Sequence, residues 1–213
     1  MFTGLIETIC HVRFVRRKAD SMLLVIDLGK LADESRIGDS IAINGVCLTI
    51  AKLEGNLVSF ELSAETLVAS TLGELKPSSE VNVERAVKAT DRFGGHFVLG
   101  HIDGTATIKE IDRRGEFADI GFVAEADLLS LMVAKGSVAV DGISMTIASV
   151  DDRGFSVAVI PETIRKTTLA KAKIGDFVNI EADIIVKAIK KQLEEILPKK
   201  QPLTADKLRQ LGF

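Results

Sequence analysis

Cys47, His101 and Ser144 are the residues of this chain best equipped for bond-making chemistry. A cysteine is a nucleophile once deprotonated, from an ordinary pKa near ~8.5, so it needs an activating neighbour. A histidine, with an ordinary pKa near ~6.5, moves protons around neutral pH. A serine hydroxyl becomes reactive beside a base. Each also has a plainer reading. Cys47 on a strand serves as a small buried hydrophobe, and His101 as a satisfied structural histidine. Thr49, Thr146, Thr66 and Thr163 read as strand and capping threonines. Lys135, before Gly136, reads as a solvated charge near a helix end. His96, after Gly94-Gly95, and His11 are weaker candidates.

Several chemistries lack their sequence. No G-x-G-x-x-G or phosphate-binding loop is present, and no G-x-S-x-G nucleophile elbow. The histidines and cysteines have no metal-ligand spacing. Cys10 and Cys47 form no C-x-x-C pair, and both read as reduced thiols of a cytoplasmic protein. No cofactor is called for. With Trp and Tyr absent and Phe numbering 10, a flat ligand must be held by hydrogen bonds, aliphatic surfaces and phenyl rings.

The elements that position these residues come from a duplication. Ile41-Ala42-Ile43-Asn44-Gly45-Val46-Cys47-Leu48-Thr49 recurs 97 residues later as Val138-Ala139-Val140-Asp141-Gly142-Ile143-Ser144-Met145-Thr146. At the same offset Glu65-Thr66 recurs as Glu162-Thr163, Thr71-Leu72 as Thr168-Leu169, and Val81-Asn82-Val83-Glu84 as Val178-Asn179-Ile180-Glu181. Near the start the offset slips by one, and Gly4-Leu5-Ile6-Glu7 faces Gly100-His101-Ile102-Asp103. The period is too long for a solenoid, so each half is a domain with its own core. The scaffold repeats while the reactive groups do not: Cys47 faces Ser144, and Leu5 faces His101. That arrangement suits two similar ligands with unequal roles.

Each half reads mainly as strands. Val46–Ala51 and Leu57–Leu62 flank the turn Glu54-Gly55-Asn56; Ile147–Val150 and Phe155–Ile160 flank Asp152-Arg153-Gly154. Asn44-Gly45 and Asp141-Gly142 are tight-turn signals. Short helices are predicted near Ala124–Val133, with a weaker counterpart near Leu31–Arg36, and from Pro161-Glu162, with a counterpart at Glu65. The pattern predicts a small closed barrel in each half. Val186, Ile189, Leu193 and Ile196 form an apolar stripe on a helix over 184–197, which packs on its own barrel or on another subunit. Residues 199–213 read as a polar tail with a short helix after Thr204.

Lys and Arg number 27 against 30 for Asp and Glu, a net charge of −3, so no basic face calls for nucleic acid. No apolar run approaches a membrane span. The opening residues lack a basic region and a long apolar core, so no signal peptide is read and a cytoplasmic location is expected.

Five motifs together resemble the riboflavin synthase family, across nearly the whole chain. Met1-Phe2-Thr3-Gly4-Leu5-Ile6-Glu7 is similar to its M-F-T-G-I-I-E start. Asn44-Gly45-Val46-Cys47-Leu48-Thr49 resembles N-G-x-C-L-T, and Gly94-Gly95-His96-Phe97-Val98-Leu99-Gly100-His101 resembles G-G-H-x-x-x-G-H. Asp141-Gly142-Ile143-Ser144-Met145-Thr146 resembles D-G-I-S-L-T with Met for Leu, a near volume-conserving swap. Ile160-Pro161-Glu162-Thr163 resembles I-P-E-T.

The resemblance implies an all-β fold of two similar six-stranded closed Greek-key-like barrels plus a C-terminal α-helix. Its implied division is 1–96 and 97–183 for two lumazine-binding barrels, 184–197 for a trimerisation helix and 198–213 for the tail. It implies a homotrimer that binds two 6,7-dimethyl-8-ribityllumazines per reaction, at a junction between the first barrel of one subunit and the second of its neighbour. The reaction implied is dismutation by four-carbon transfer, giving riboflavin and a ribitylamino-pyrimidinedione. It leaves open which pocket holds the donor and whether lumazine synthase is a stable partner. Carried over by motif, the first pocket uses Gly4, Leu5, Ile6, Cys47, Leu48, Thr49, Glu61, Leu62, Ser63, Ala64, Glu65 and Thr66. The second uses Gly100, His101, Ile102, Lys135, Ser144, Met145, Thr146, Ala158, Val159, Ile160, Pro161, Glu162 and Thr163. Phe2, Cys47, His101, Ser144, Thr146 and Asp183 are expected near the chemistry, with Phe2 covering the ligand. The rival within the family is a lumazine or flavin carrier without catalysis. A flavin-dependent oxidoreductase would need a nucleotide-binding α/β domain that the sequence does not encode.

Overall fold

Alternating side chains make the strands. In β2 (Ser21–Asp27) Met22, Leu24 and Ile26 are buried, and in β5 (Leu57–Ser63) Val58, Phe60 and Leu62 are, while their neighbours face outward. The structure, a computed structural model, describes residues 1–196. With β1 (Thr8–Arg17), β3 (Ser40–Ile43), β4 (Val46–Glu54) and β6 (Glu80–Arg85), these strands close a barrel in the order β1-β2-β5-β4-β3-β6. The second half repeats it with β7 (Gly104–Arg114), β8 (Phe117–Val123), β9 (Ser137–Val140), β10 (Ile143–Val150), β11 (Gly154–Val159) and β12 (Phe177–Ala182). All pairings are antiparallel, and each barrel is filled by its own apolar cluster, as expected where six strands leave room only for side chains.

Asn44 and Gly45 have φ of 45° and 78°, and Asp141 and Gly142 have 44° and 78°. Two successive positive φ angles define the tight hairpin turn that Asn-Gly and Asp-Gly favour. The two turns stand back to back. A Cβ on Gly45 would lie 2.6 Å from the Gly142 nitrogen, and one on Gly142 would lie 2.7 Å from that of Gly45. Asn82 and Asn179 lock the contact: each amide nitrogen donates across it, to the Asp141 carbonyl at 3.1 Å and the Asn44 carbonyl at 2.8 Å. The barrels therefore meet about an approximate two-fold axis.

A third, small core lies between the barrels. Phe2, Ala42, Val98 and Ala139 are buried there, with Cys47 half-buried against them. Phe2 and Val98 form an isolated antiparallel bridge, each N–H donating to the other's carbonyl.

The helices are shorter than the sequence predicts. The segment read as Ala124–Val133 contains one α-turn, α2 (Ala126–Leu129); Leu128 and Leu129 on it and Met132 beyond it join the second barrel's core. Its counterpart is a 3₁₀ turn over Gly29–Glu34. Gly154, read as part of a turn, begins β11. Ile160, read as the end of a strand, is the extended residue preceding α3 (Pro161–Lys166), because proline disfavours a helical residue before it. Its counterpart α1 (Ala64–Ala69) is capped by Ser63. The chain continues into α4 (Ile184–Ile196), which buries no residue. Lys187 holds it to Asp103 at 2.8 Å and Lys190 to the Ser130 hydroxyl at 2.7 Å, while Ile185, Ile189, Leu193 and Ile196 stay exposed. Leu197 and the tail, with the predicted helix after Thr204, lie outside the described residues.

Candidate active site

Each barrel has one seam where its ladder is incomplete. The β4–β5 pairing begins only at Ile50↔Phe60. Below that point Cys47, Leu48 and Thr49 still pair with β3, and Glu61, Leu62 and Ser63 still pair with β2, so β4 and β5 part. In the second barrel the β10–β11 pairing begins at Ile147↔Val157, and Ser144–Thr146 part from Ala158–Val159. Leu48, Leu62, Met145 and Val159 are buried in the cores. Alternation turns Cys47, Thr49, Glu61 and Ser63 outward at the first seam, and Ser144, Thr146 and Ala158 at the second. At the foot of each seam stand the first residues of a short helix, Ala64-Glu65-Thr66 in one and Pro161-Glu162-Thr163 in the other. Both seams are open surfaces: Thr49, Glu61, Ala64, Thr146, Ala158 and Ile160 are exposed.

The missing partner of each seam comes from the other half. The Cys47 N–H donates to the Gly100 carbonyl at 3.0 Å, and the Ser144 N–H donates to the Gly4 carbonyl at 2.8 Å. Ile102 packs on the first barrel's core, and Ile6 on the second's. The resemblance grouped these segments the other way: here Gly4 and Ile6 lie against the second barrel, and Gly100 and Ile102 against the first. The Phe2–Val98 bridge carries the start of each half across the axis. Gly4 and Gly100 adopt φ of 78° and 82°, and a Cβ on either would come within 2.6 Å of the Ser144 or Cys47 side chain. Only glycine lets these segments lie so close to the reactive residues.

Ser144 is not isolated. Its Oγ lies 2.7 Å from His96 Nδ1, and His96 Nε2 is buried without a partner among the described residues. His96 is held by its own N–H, which donates to the Thr3 carbonyl at 3.1 Å. Burial holds its imidazole below the ordinary value, with the Asp183 charge opposing that shift. A neutral imidazole is able to accept a proton from the Ser144 hydroxyl. His96 was ranked low from the sequence, because only the long-range pairing of residues 96–98 with the N-terminal segment brings it to Ser144.

The comparisons with known proteins bear on the family and the duplicated fold. The model of the lumazine binding domain matches twice, over residues 3–86 and 99–183. The chain is 40% identical to a riboflavin synthase from Actinobacillus pleuropneumoniae, with the whole of both chains covered. It is 37% identical to that of Bacillus subtilis (strain 168), again over 100% of both, and 39% identical to that of Escherichia coli (strain K12), over 92% of this chain and 93% of the relative. The chain belongs to the riboflavin synthase family. Riboflavin synthases are transferases. Solved structures of LumP complexed with 6,7-dimethyl-8-(1'-D-ribityl) lumazine and with riboflavin share the fold. Their TM-scores are 0.78 and 0.80 at 21% identity, covering 85% of this chain and 99% of each of theirs.

Three expected residues of this riboflavin synthase family member have placements that qualify their roles. Phe2 is fully buried between the barrels and exposes no surface for covering a ligand, so any influence on a ligand passes through the segment it anchors. Asp183 caps α4, accepting from the Ile185 N–H at 2.9 Å, while its charge reaches His96. Lys135 has φ 67° where the first half has Gly38 at 94°, and its N–H donates to the Ile147 carbonyl at the start of the second seam. At this position the lysine takes a left-handed conformation that costs ~1 kcal/mol relative to glycine. Glu162, by contrast, is bound to Lys166 and Arg165 of its own helix, which pull its carboxyl down to about 2.

Proposed function

We propose that this chain converts two 6,7-dimethyl-8-ribityllumazines to riboflavin and 5-amino-6-ribitylamino-pyrimidinedione by transfer of a four-carbon unit, with no cofactor. The observation that carries this reading is the pair of matching seams with unequal reactive groups, Cys47 in one and the Ser144–His96 pair in the other. A dismutation binds the same molecule twice and treats the two copies differently. The lumazine 7-methyl group is acidic because its anion delocalises over the ring, so no strong base is needed. Holding two rings face to face supplies much of the acceleration, since orientation alone contributes up to ~7–11 kcal/mol. His96 or His101 moves protons; Cys47 or Ser144 adds at C7 or positions a water that does so.

An open seam covers one face of a flat ring and leaves the other to solvent. A second seam from another subunit closes it, which supports a homotrimer held in part by the exposed stripe of α4. We place the assembly in the cytoplasm, where Cys10 and Cys47 stay free thiols. We assign a first ligand-binding barrel up to residue 96, a second up to 183, and a subunit-contact helix from 184. The carrier reading is weaker. The carrier-like neighbours are 21% identical, whereas the synthases reach 37–40% over full length and the reactive residues of both halves are present.

The test is to incubate chelator-treated, dialysed protein with the lumazine alone and follow riboflavin by its absorbance. Riboflavin formed in a 1:2 ratio to lumazine consumed is expected. Tight binding of lumazine without turnover would establish the carrier instead.

A further inference from the structure

Two buried carboxylates lie outside the catalytic set, and both grip the exchanged segments. Glu84, on β6, accepts from the Thr3 N–H at 2.7 Å and the Thr3 hydroxyl at 2.8 Å through Oε1, and from the Gly4 N–H at 3.0 Å through Oε2. Glu181, on β12, accepts from the Leu99 N–H at 2.7 Å and the Gly100 N–H at 2.9 Å. Neither has a cation bonded to its carboxylate oxygens among the described residues; the partners are backbone N–H groups and one hydroxyl. Burial pushes both carboxyls up. A buried carboxylate is costly unless its donors require it. Here every partner is a donor, so the ionised, acceptor-only form matches them and no neutral side chain does.

The next link leaves the barrel. Gly4, held by Glu84 of the first barrel, presents its carbonyl to Ser144 of the second, and Gly100, held by Glu181 of the second, presents its carbonyl to Cys47 of the first. Leu5-Ile6 and His101-Ile102 follow directly. The lateral wall of each seam thus hangs from a carboxylate on the opposite barrel.

We propose that Glu84 and Glu181 are positioning residues that act crosswise: Glu84 of the first barrel shapes the ligand cleft of the second, and Glu181 of the second shapes that of the first. This rests on the reading of the two seams as lumazine-class clefts. Each carboxylate acts through backbone, without touching ligand. Its loss therefore shows in the affinity of the far cleft while the near one keeps its own wall.

Glu84→Gln and Glu181→Gln test this, because the amide keeps the shape but turns an NH₂ group toward an N–H donor. Riboflavin is the probe. The backbone amide signals of Thr49 and Thr146, observed with ¹⁵N-threonine label, report the first and second clefts separately. Glu84→Gln is expected to weaken binding at Thr146 by about tenfold, the size of one mispaired buried donor, and to leave Thr49 within about twofold. Glu181→Gln is expected to do the reverse. Thr3→Val, which removes the hydroxyl that donates to Glu84 and accepts from the Leu5 N–H at 3.3 Å, decides the matter if Glu84→Gln fails to fold; a loss of about threefold at Thr146 alone is expected. Weakening at the near cleft, or equally at both, would overturn the crosswise assignment. If riboflavin moved neither signal in the wild-type protein, the cleft reading itself would fall and the proposal with it.

Discussion

His96 Nδ1 and Ser144 Oγ are 2.7 Å apart, and His96 Nε2 is buried without a hydrogen-bond partner among the described residues. His96 lies at the junction of the two halves and Ser144 on β10 of the second, and the His96 N–H is tied to the Thr3 carbonyl of the N-terminal segment. The first half has no equivalent pair, since Cys47 stands where Ser144 does.

If the pair moves a proton, its members act as a unit. Ser144→Ala and His96→Ala should each lower kcat at saturating lumazine by about 10²-fold or more. The double variant should be no slower than the slower single one. Additive losses in a double-mutant cycle would show that the two residues act separately.

Asp141 gives a prediction for stability. Burial raises its carboxyl to about 7 from 3.8, and the charge of Asp176 adds to the effect. An acid with a raised pKa binds its proton more tightly in the folded state. Its contribution to stability is therefore fully present below about 3.8 and is lost as pH rises to about 7. Its counterpart Asn44 accepts from the Asn82 N–H at 2.8 Å, just as Asp141 accepts from the Asn179 N–H at 2.8 Å, and it does so without a charge. Asp141→Asn should keep that bond, flatten the dependence between pH 4 and 7, and gain about 1–3 kcal/mol at pH 8. Urea unfolding across pH measures this; a variant less stable than wild type at pH 8 would show that the charge is wanted.

The stripe on α4 is the third. Ile189 and Leu193 are 55% and 49% exposed in the single chain, while Lys187 and Lys190 on the same helix are engaged with the second barrel. Replacing Ile189 and Leu193 by Asp leaves those polar contacts in place. Light scattering should then report monomers, and riboflavin formation should fall by about tenfold or more. An assembly that stayed trimeric would free the helix from that role.

The barrels and their repeat were legible because period-two alternation and the Asn44-Gly45 and Asp141-Gly142 turns leave local marks. The crossing of residues 4–6 and 100–102 was not legible. When two halves resemble each other, a segment that packs on its own barrel and one that packs on the copy align equally well. The placements of Phe2 and His96 were not legible for the same reason, since both owe their positions to a two-residue bridge of high sequence separation. The short helices were overextended because Leu128, Leu129 and Met132 mimic a helical stripe while plugging the end of a barrel.

The exchange of segments has a mechanical consequence. Residues 88–95 are all exposed, and they form the covalent road from one barrel to the other. A protease that severed the chain after Arg92 would leave Phe2 bonded to Val98, Gly4 to Ser144, Cys47 to Gly100, and the asparagines clasped across the axis. The nicked molecule would be two peptides in one body, each wearing part of the other. What keeps the barrels together is interlocking rather than tethering, and the linker does its main work before the fold is complete.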